Sequence, residues 1–254
     1  FARVPGVLDD SLVASLRQRT DVLLDDPQLA ARENPELHDR HYAQAHTSAT
    51  GERIPFILRN TIELDPLFLA MLEHETILPL AEAIVGPGAR FCGQNVLRNQ
   101  PGVAIDSWHV DDGLFYPVPE DVERHDPRIQ LPVLWLTVQI ALSDIDQPAH
   151  GPTEYVPGSH NSGRHPPKEG PLAFEGQEPV PIFCKAGDVY LHNPQCWHRG
   201  APNASDRVRY LMQCQYGVDW AFRRFGWMNR VPVADEQLRT ASDRLLALLG
   251  RTRP

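Results

Sequence analysis

The sequence predicts a mainly β fold: an all-β core preceded by helices and followed by one short helix. Between about residues 90 and 218, apolar and β-branched runs of strand length alternate with Pro/Gly turns, whereas before residue 86 the apolar spacing is helical. The 24 prolines also favour many turns over a helical bundle. At 254 residues the chain can build one large core. With no internal repeat, low-complexity tract or linker, it reads as a single domain over 1–254.

The opening, Phe1 to Leu8, reads like the inside of a strand, so residues ahead of it are expected. Asp9 or Asp10 caps a helix that carries Leu12, Val13, Leu16, Val22 and Leu23, the start of a helical N-terminal part over about 8–86. From Asp26 to Gly51 the chain is polar, with Pro, Asn and several His, and is expected to be a long loop of the kind that forms lids or binding surfaces. A second helical region spans about Asp65 to Val85, broken near Pro79 and ended by Gly86-Pro87-Gly88. Strands are then expected at Arg90–Asn99, Ser107–Asp111, Leu131–Leu142, Thr153–Val156, Ile182–Cys184, Asp188–His192 and Arg207–Val218. A final helix over about 235–249 packs Leu238, Leu245 and Leu248 on the outside of that core.

Bulk properties remove several classes of function. A formal charge of −9 argues against nucleic acid or an anionic membrane surface as the main partner. No apolar run approaches the roughly 18–20 residues that span a bilayer, and no signal-peptide pattern opens the chain. The four cysteines form no CxxC pair and mostly sit in apolar stretches, which fits buried, reduced thiols and a cytoplasmic location.

The chemistry resides in His109-x-Asp111. In a strand, residues i and i+2 share a face, so both side chains can bind one metal from one side. Two imidazoles and a carboxylate, with the rest of the coordination sphere open, are the donor set of non-heme Fe(II) oxygenases. His192 and His198 both stand where a third ligand is needed. A 2-oxo acid cosubstrate carries a distal carboxylate, for which Arg is the planar bidentate partner. Arg209 follows His198 by eleven residues, whereas Asn203 follows His192 at that distance, and this favours His198. On its strand Arg209 shares a face with Leu211, Gln213 and Gln215.

His109-x-Asp111, the segment Gly151-Pro-Thr-Glu-Tyr-Val-Pro-Gly-Ser-His160, and His198 followed by Arg209 together resemble the phytanoyl-CoA dioxygenase family. The similarity runs over nearly the whole chain. It implies a double-stranded β-helix, a cupin-like jelly roll whose core covers about 90–218. It also implies Fe(II) as metal, 2-oxoglutarate as cosubstrate and O2 as oxidant, with succinate and CO2 released. Carried over residue by residue, His109, Asp111 and His198 match the metal triad, and Arg209 matches the arginine that holds the distal carboxylate of 2-oxoglutarate. Gln94 matches a glutamine that contacts 2-oxoglutarate in ectoine hydroxylases, and Arg59 matches a basic residue near the cosubstrate. Thr137 and Gln139 fall on a strand that borders the same pocket. Gly200 replaces the small hydroxyl residue of several relatives, removing one possible hydrogen bond. Halogenating relatives lack the acid, so Asp111 points to oxygenation.

Other residues receive plainer readings. Ser159 and His160 are expected to close a turn, the histidines His38, His41 and His46 to be a solvated cluster, and Phe115 and Tyr116 to wall the substrate site. Trp220, Phe222, Phe225 and Trp227, with Arg223 and Arg224, read as packing of the C-terminal segment. The expected partner is a small metabolite or natural-product intermediate from secondary metabolism, bound by a monomer or homodimer without membrane or nucleic acid. An acyl-CoA 2-hydroxylase and a non-catalytic or other-metal cupin-like binding protein are the alternatives.

Overall fold

The computed structural model describes residues 1–33, 41–47, 51–224 and 232–253. A short strand β1 (Ala2–Val4) leads into helix α1 (Asp10–Leu24), which Asp9 caps by accepting the Leu12 N–H at 2.8 Å. The expected loop over 26–51 holds more order than its composition suggested. It contains helix α2 (Pro27–Ala31), capped by Asp26, and strand β2 (Ala43–Thr47).

Strand β3 (Arg53–Arg59) pairs with β2 and was not among the expected strands. Its Pro55 breaks the strand pattern. The next strand, β4 (Arg90–Asn99), pairs with β3 only over Ile57–Arg59, and Pro55 lies beside the irregularity between Gln44 and Ala45 of β2. The missing N–H therefore falls outside the β4 ladder.

The second helical region is four pieces rather than one helix broken at Pro79. These are α3 (Thr61–Leu64), α4 (Pro66–Ala70), a 3-10 turn (Met71–Glu73) and α5 (Ile77–Val85). The break falls at residues 74–76, and Pro79 stands in the first turn of α5. Leu78 N–H reaches the His74 carbonyl and Leu80 N–H that of Thr76, and the bond between them that Pro79 cannot make marks where the regular helix begins.

The remaining core strands are β5 (Ile105–His109), β6 (Trp135–Ala141), β7 (Thr153–Tyr155), β8 (Val180–Pro181), β9 (Val189–His192), β10 (His198–Gly200) and β11 (Arg209–Gly217). β10 was not among the expected strands, β6 begins at Trp135 rather than Leu131, and other expected bounds shift by a residue or two. β5 stops at His109, so Asp111 lies just beyond the strand, and the strand expected at Ile182–Cys184 pairs as β8 two residues earlier. One sheet has the order β1-β9-β6-β11-β4-β3-β2, the other β5-β10-β7-β8, and every pair is antiparallel. From β4 to β11 the chain passes between the two sheets in the order that defines a double-stranded β-helix.

Two apolar layers follow from this topology. Tyr210, Met212, Cys214 and Tyr216 of β11, with Leu136, Val138 and Ile140 of β6, form the outer face of the large sheet and pack under α1, α4 and α5. Leu211, Ala141, Leu97, Tyr155 and Tyr190 fill the space between the sheets. The C-terminal segment is two helices, α7 (Asp235–Thr240) and α8 (Asp243–Leu249), after α6 (Asp219–Arg224). Ser242 ends the expected single helix by capping α8, its hydroxyl accepting the Leu245 N–H at 2.9 Å. Leu238, Leu245 and Leu248 pack into the apolar layer on the outer face of the large sheet and are buried there.

Leu248 is fully buried. Leu248→Ala should cost about 2–5 kcal/mol in denaturant unfolding; a change within 0.5 kcal/mol would show that α8 does not contribute to the core.

A second prediction concerns the turn leading into β9. The Ala186 N–H and the Lys185 ammonium, acting against a burial cost, hold the Asp144 carboxyl below its ordinary value. A lowered folded pKa stabilises the native state above the unfolded value of about 4 and is lost as pH falls through the folded value. The melting-temperature deficit of Asp144→Ala should therefore be largest near neutral pH and shrink in acid.

Candidate active site

β10 pairs on one side with β5, placing His198 opposite His109, and on the other with β7, placing His198 opposite Tyr155. The His109 and His198 ring centroids are 4.3 Å apart. In each histidine Nδ1–H donates to the backbone carbonyl two residues earlier: His109 to Ser107 and His198 to Cys196, both at 2.8 Å. That contact fixes the ring and leaves Nε2 with a free lone pair facing inward.

Asp111 completes the group although it lies outside the strand. Its own N–H donates to the Pro194 carbonyl at 3.0 Å. The Gln195 side chain, which the sequence reading had not singled out, clamps the following loop by donating to the Gly113 carbonyl and accepting the Phe115 N–H. Asp111 Oδ1 then lies 3.8 Å from His109 Nε2 and 3.6 Å from His198 Nε2. One ligand atom from each of the three residues falls within 4.8 Å of the others.

Electrostatics follow the geometry. Burial would raise the Asp111 carboxyl, but the His198 and His192 imidazoles beside it hold it well below the usual carboxylate range. Burial opposes a charged His198, yet Asp111 draws its pKa upward, while burial and the nearby His198 lower that of His109. His192, fully buried, is pushed down to about 4 by desolvation and is neutral at pH 7.

Arg209 begins β11 and is 3% exposed. Its guanidinium donates to the Gly151 carbonyl and, at 3.3 Å, to Asn99 Oδ1, while Nε has no hydrogen-bond partner among the described residues. No carboxylate pairs with it among those residues. A buried cation without a counter-ion is costly, and its surroundings suit an incoming anion. Nη2 lies 3.6 Å from where a Cβ on Gly200 would sit, two residues along β10 from His198. Gly151 itself must be glycine: its φ is +67°, and a Cβ would stand 2.7 Å from the Ala201 carbonyl oxygen.

The other expected cosubstrate residues divide. Thr137 and Gln139 lie on the inner face of β6, buried, and Thr137 Oγ1 and Gln139 Oε1 have no hydrogen-bond partner among the described residues. Arg59 borders a cavity of about 410 Å³ that also meets Asn60, Asn95, Asp111, Trp135 and Gln215.

Gln94 is a correction. It borders that cavity, but its side-chain amide serves the helix layer. Oε1 accepts from Thr61 Oγ1, and Nε2 donates to the Phe68 carbonyl at 3.0 Å and contacts Cys214 Sγ. Register explains this: Gln94 pairs with Cys214 on the outer face, while Asn95 pairs with Gln213 on the inner one.

The plainer readings can be placed as well. Ser159 is a turn residue, its hydroxyl donating to Val156 O and accepting the Trp197 N–H. Phe115 packs beside the cavity residues Cys92 and Trp135, together with Phe222, whereas Tyr116 turns to His125. Trp220 is exposed. His41 stands near Glu33 and His46 against the Phe56 ring; His38, Phe225 and Trp227 lie outside the described residues. All four cysteines are buried and free.

Two imidazoles and one carboxylate gathered inside a jelly roll, beside a buried arginine with no counter-ion among the described residues, define a class: the mononuclear non-heme metal proteins with an open coordination face. The comparisons narrow this. The family model described as phytanoyl-CoA dioxygenase (PhyH) matches residues 1–211, and the chain belongs to that family. The uncharacterized protein Rv1501 of Mycobacterium tuberculosis is 23% identical over 221 residues, covering 85% of this chain and 70% of its own length.

Among solved structures, the non-heme alpha ketoglutarate dependent epimerase SnoN from nogalamycin biosynthesis is 22% identical with a TM-score of 0.61, covering 85% of this chain and 78% of its own. AviO1 from Streptomyces viridochromogenes Tue57 is 21% identical with a TM-score of 0.61, covering 86% and 89%. HygX from Streptomyces hygroscopicus, solved with nickel and 2-oxoglutarate bound, is 19% identical with a TM-score of 0.58, covering 86% and 82%. These likenesses establish a shared fold. No helix among the described residues is long and apolar enough to cross a membrane.

Arg209→Lys retains charge but loses the planar fork that spans Gly151 and Asn99. Affinity for 2-oxoglutarate in the Lys variant, read by calorimetry on protein loaded with a redox-inert metal, should fall by about tenfold or more, one lost charge-assisted bond. Unchanged affinity would remove Arg209 from the cosubstrate site.

Proposed function

We propose that this chain is an Fe(II)- and 2-oxoglutarate-dependent oxygenase acting, as a single domain, on an unactivated C–H bond of a small metabolite or natural-product intermediate. The observation that carries it is the convergence of His109, Asp111 and His198 within 4.8 Å, beside the buried Arg209, whose Nε has no hydrogen-bond partner among the described residues. Membership in a family named for a dioxygenase supports the same reading.

The donor set fits the metal. Neutral imidazoles and a carboxylate suit Fe(II), and three ligands on one face leave room for a chelating cosubstrate and dioxygen. Bound there, iron with dioxygen and 2-oxoglutarate supplies the oxidising power, with succinate and CO2 as by-products. The rest is the work of the protein. The Ser107 and Cys196 carbonyls hold the two imidazoles in the metal-binding tautomer. Arg209 receives the distal carboxylate of 2-oxoglutarate, and the Thr137 hydroxyl, which has no hydrogen-bond partner among the described residues, is free to donate to it beside Gln139. The cavity bordered by Arg59, Asn95, Trp135 and Gln215 holds the substrate against Asp111.

Asp111 occupies the position that a halide would need, which favours oxygenation over halogenation. The amide-rich cavity and the acidic chain favour a polar small molecule over an acyl-CoA. Four buried free thiols fit a reducing, cytoplasmic setting.

Three variants test the reading. His109→Ala or Asp111→Ala should abolish Fe(II)-dependent conversion of 2-oxoglutarate to succinate, and retained turnover would remove the ligand assignment. Arg209→Ala should chiefly raise KM for 2-oxoglutarate; an unchanged KM would leave the cosubstrate without its anchor. Wild-type protein that consumes no 2-oxoglutarate with Fe(II) under any substrate screened, and binds none, would favour a non-catalytic binding module.

A further inference from the structure

His192 is a buried imidazole in contact with Asp111 that the mechanism leaves unused. It ends β9 in the large sheet, paired with Thr137, so it approaches Asp111 from the sheet opposite His109 and His198. Its side chain has no exposed surface. Nδ1 lies 2.9 Å from the Tyr155 hydroxyl, which is itself fully buried. Nε2 has no hydrogen-bond partner among the described residues and faces Asp111 Oδ2 at 3.6 Å. The two carboxylate oxygens therefore meet different neighbours: Oδ1 faces His109 and His198, and Oδ2 faces His192.

We propose that His192, oriented by Tyr155, is a positioning residue: its Nε2–H donates to Asp111 Oδ2 and leaves Oδ1 as the single oxygen offered to the metal. The inference rests on the Fe(II) reading above and extends it to a residue outside the triad.

Satisfying the buried groups selects the tautomer. If Nδ1 carried the proton, it would donate to Tyr155, the Tyr155 hydroxyl proton would have no recorded acceptor, and the Nε2 lone pair would point at a carboxylate oxygen. With the proton on Nε2, Tyr155 donates to Nδ1 and Nε2 donates to Oδ2, so every group is used. That tautomer has no lone pair at Nε2 and cannot be a fourth ligand. At 3.6 Å the contact is longer than a hydrogen bond, and a small rotation of the carboxylate closes it. A carboxylate tied back by one oxygen binds through the other alone. That keeps free the coordination positions that a chelating 2-oxo acid and dioxygen require.

The test uses Co(II) as a redox-inert probe, with binding followed by calorimetry and coordination by its visible d–d absorption. His192→Phe keeps the ring and removes the donor. It should weaken Co(II) binding by about 10- to 100-fold and change the d–d band shape as both oxygens of Asp111 become available. His192→Gln, which can place an N–H near the same point, should restore most of the affinity. Tyr155→Phe should weaken binding in the wild-type background and have no further effect in His192→Phe. Wild-type affinity and spectrum in His192→Phe, or a Gln variant as impaired as Phe, would overturn the proposal. If His192→Phe does not fold, judged by its melting curve, the Gln and Tyr155→Phe variants decide by the same readings. A wild-type protein that takes up neither Co(II) nor Fe(II) overturns the parent reading and this proposal together. Metal uptake with wild-type behaviour in every His192 variant overturns this proposal alone.

Discussion

The structure depends on one strand pairing: β10 lying between β5 and β7 with His198 opposite His109 and Tyr155. A slip of one residue would turn His198 out of the space between the sheets and put Arg199 in its place. Much of the surrounding sequence enforces the register. Ser159 accepts the Trp197 N–H just ahead of β10, and Trp197 Nε1–H donates to the Arg164 carbonyl. At the far end, the Ala201 N–H donates to the Pro152 carbonyl. Arg199 is held on the other face by Glu154 and the Trp108 ring. The Gly151–His160 segment therefore matters less for any side chain of its own than for holding the small sheet in register.

The interior between the sheets is unusual for a core. An ordinary β-sandwich fills this space with apolar side chains, and here Leu97, Ala141, Tyr155 and Leu211 do so only in part. Next to them, Thr137, Gln139, His192 and Arg209 are buried with polar atoms that lack partners among the described residues. Each such atom costs stability. The outer face of the large sheet offsets the cost, since the helical layer and the C-terminal helices bury a much larger apolar surface there. Stability and chemistry are thus assigned to opposite faces of the same strands.

That division explains which site residues the sequence could reveal. His109, Asp111, His198 and Arg209 are legible because metal and anion binding constrain residue type and spacing together. β11 was legible face by face, since Arg209, Leu211, Gln213 and Gln215 alternate with Tyr210, Met212, Cys214 and Tyr216. Gln94 was not. Cys92, Gln94 and Val96 alternate with Gly93, Asn95 and Leu97, and neither set is plainly polar, because both faces of β4 are buried. The side-chain direction was decided by pairing with Cys214 and by the Thr61 and Phe68 partners, none of which is near in sequence. The loop over 26–51 failed differently: a five-residue edge strand with a polar composition needs its partner β3 to exist, and β3 was hidden by Pro55.

What the sequence by itself determined is the chemistry offered: two imidazoles, one carboxylate and one arginine, most of the strands that can carry them, and an acidic chain. These are properties of residue type and local spacing. Only the tertiary structure decided which oxygen of Asp111 each histidine faces, where Arg209 reaches, and which way the Gln94 side chain turns. Those outcomes depend on strand register across two sheets. Register is a contest among buried contacts far apart in the chain, and local spacing does not encode it.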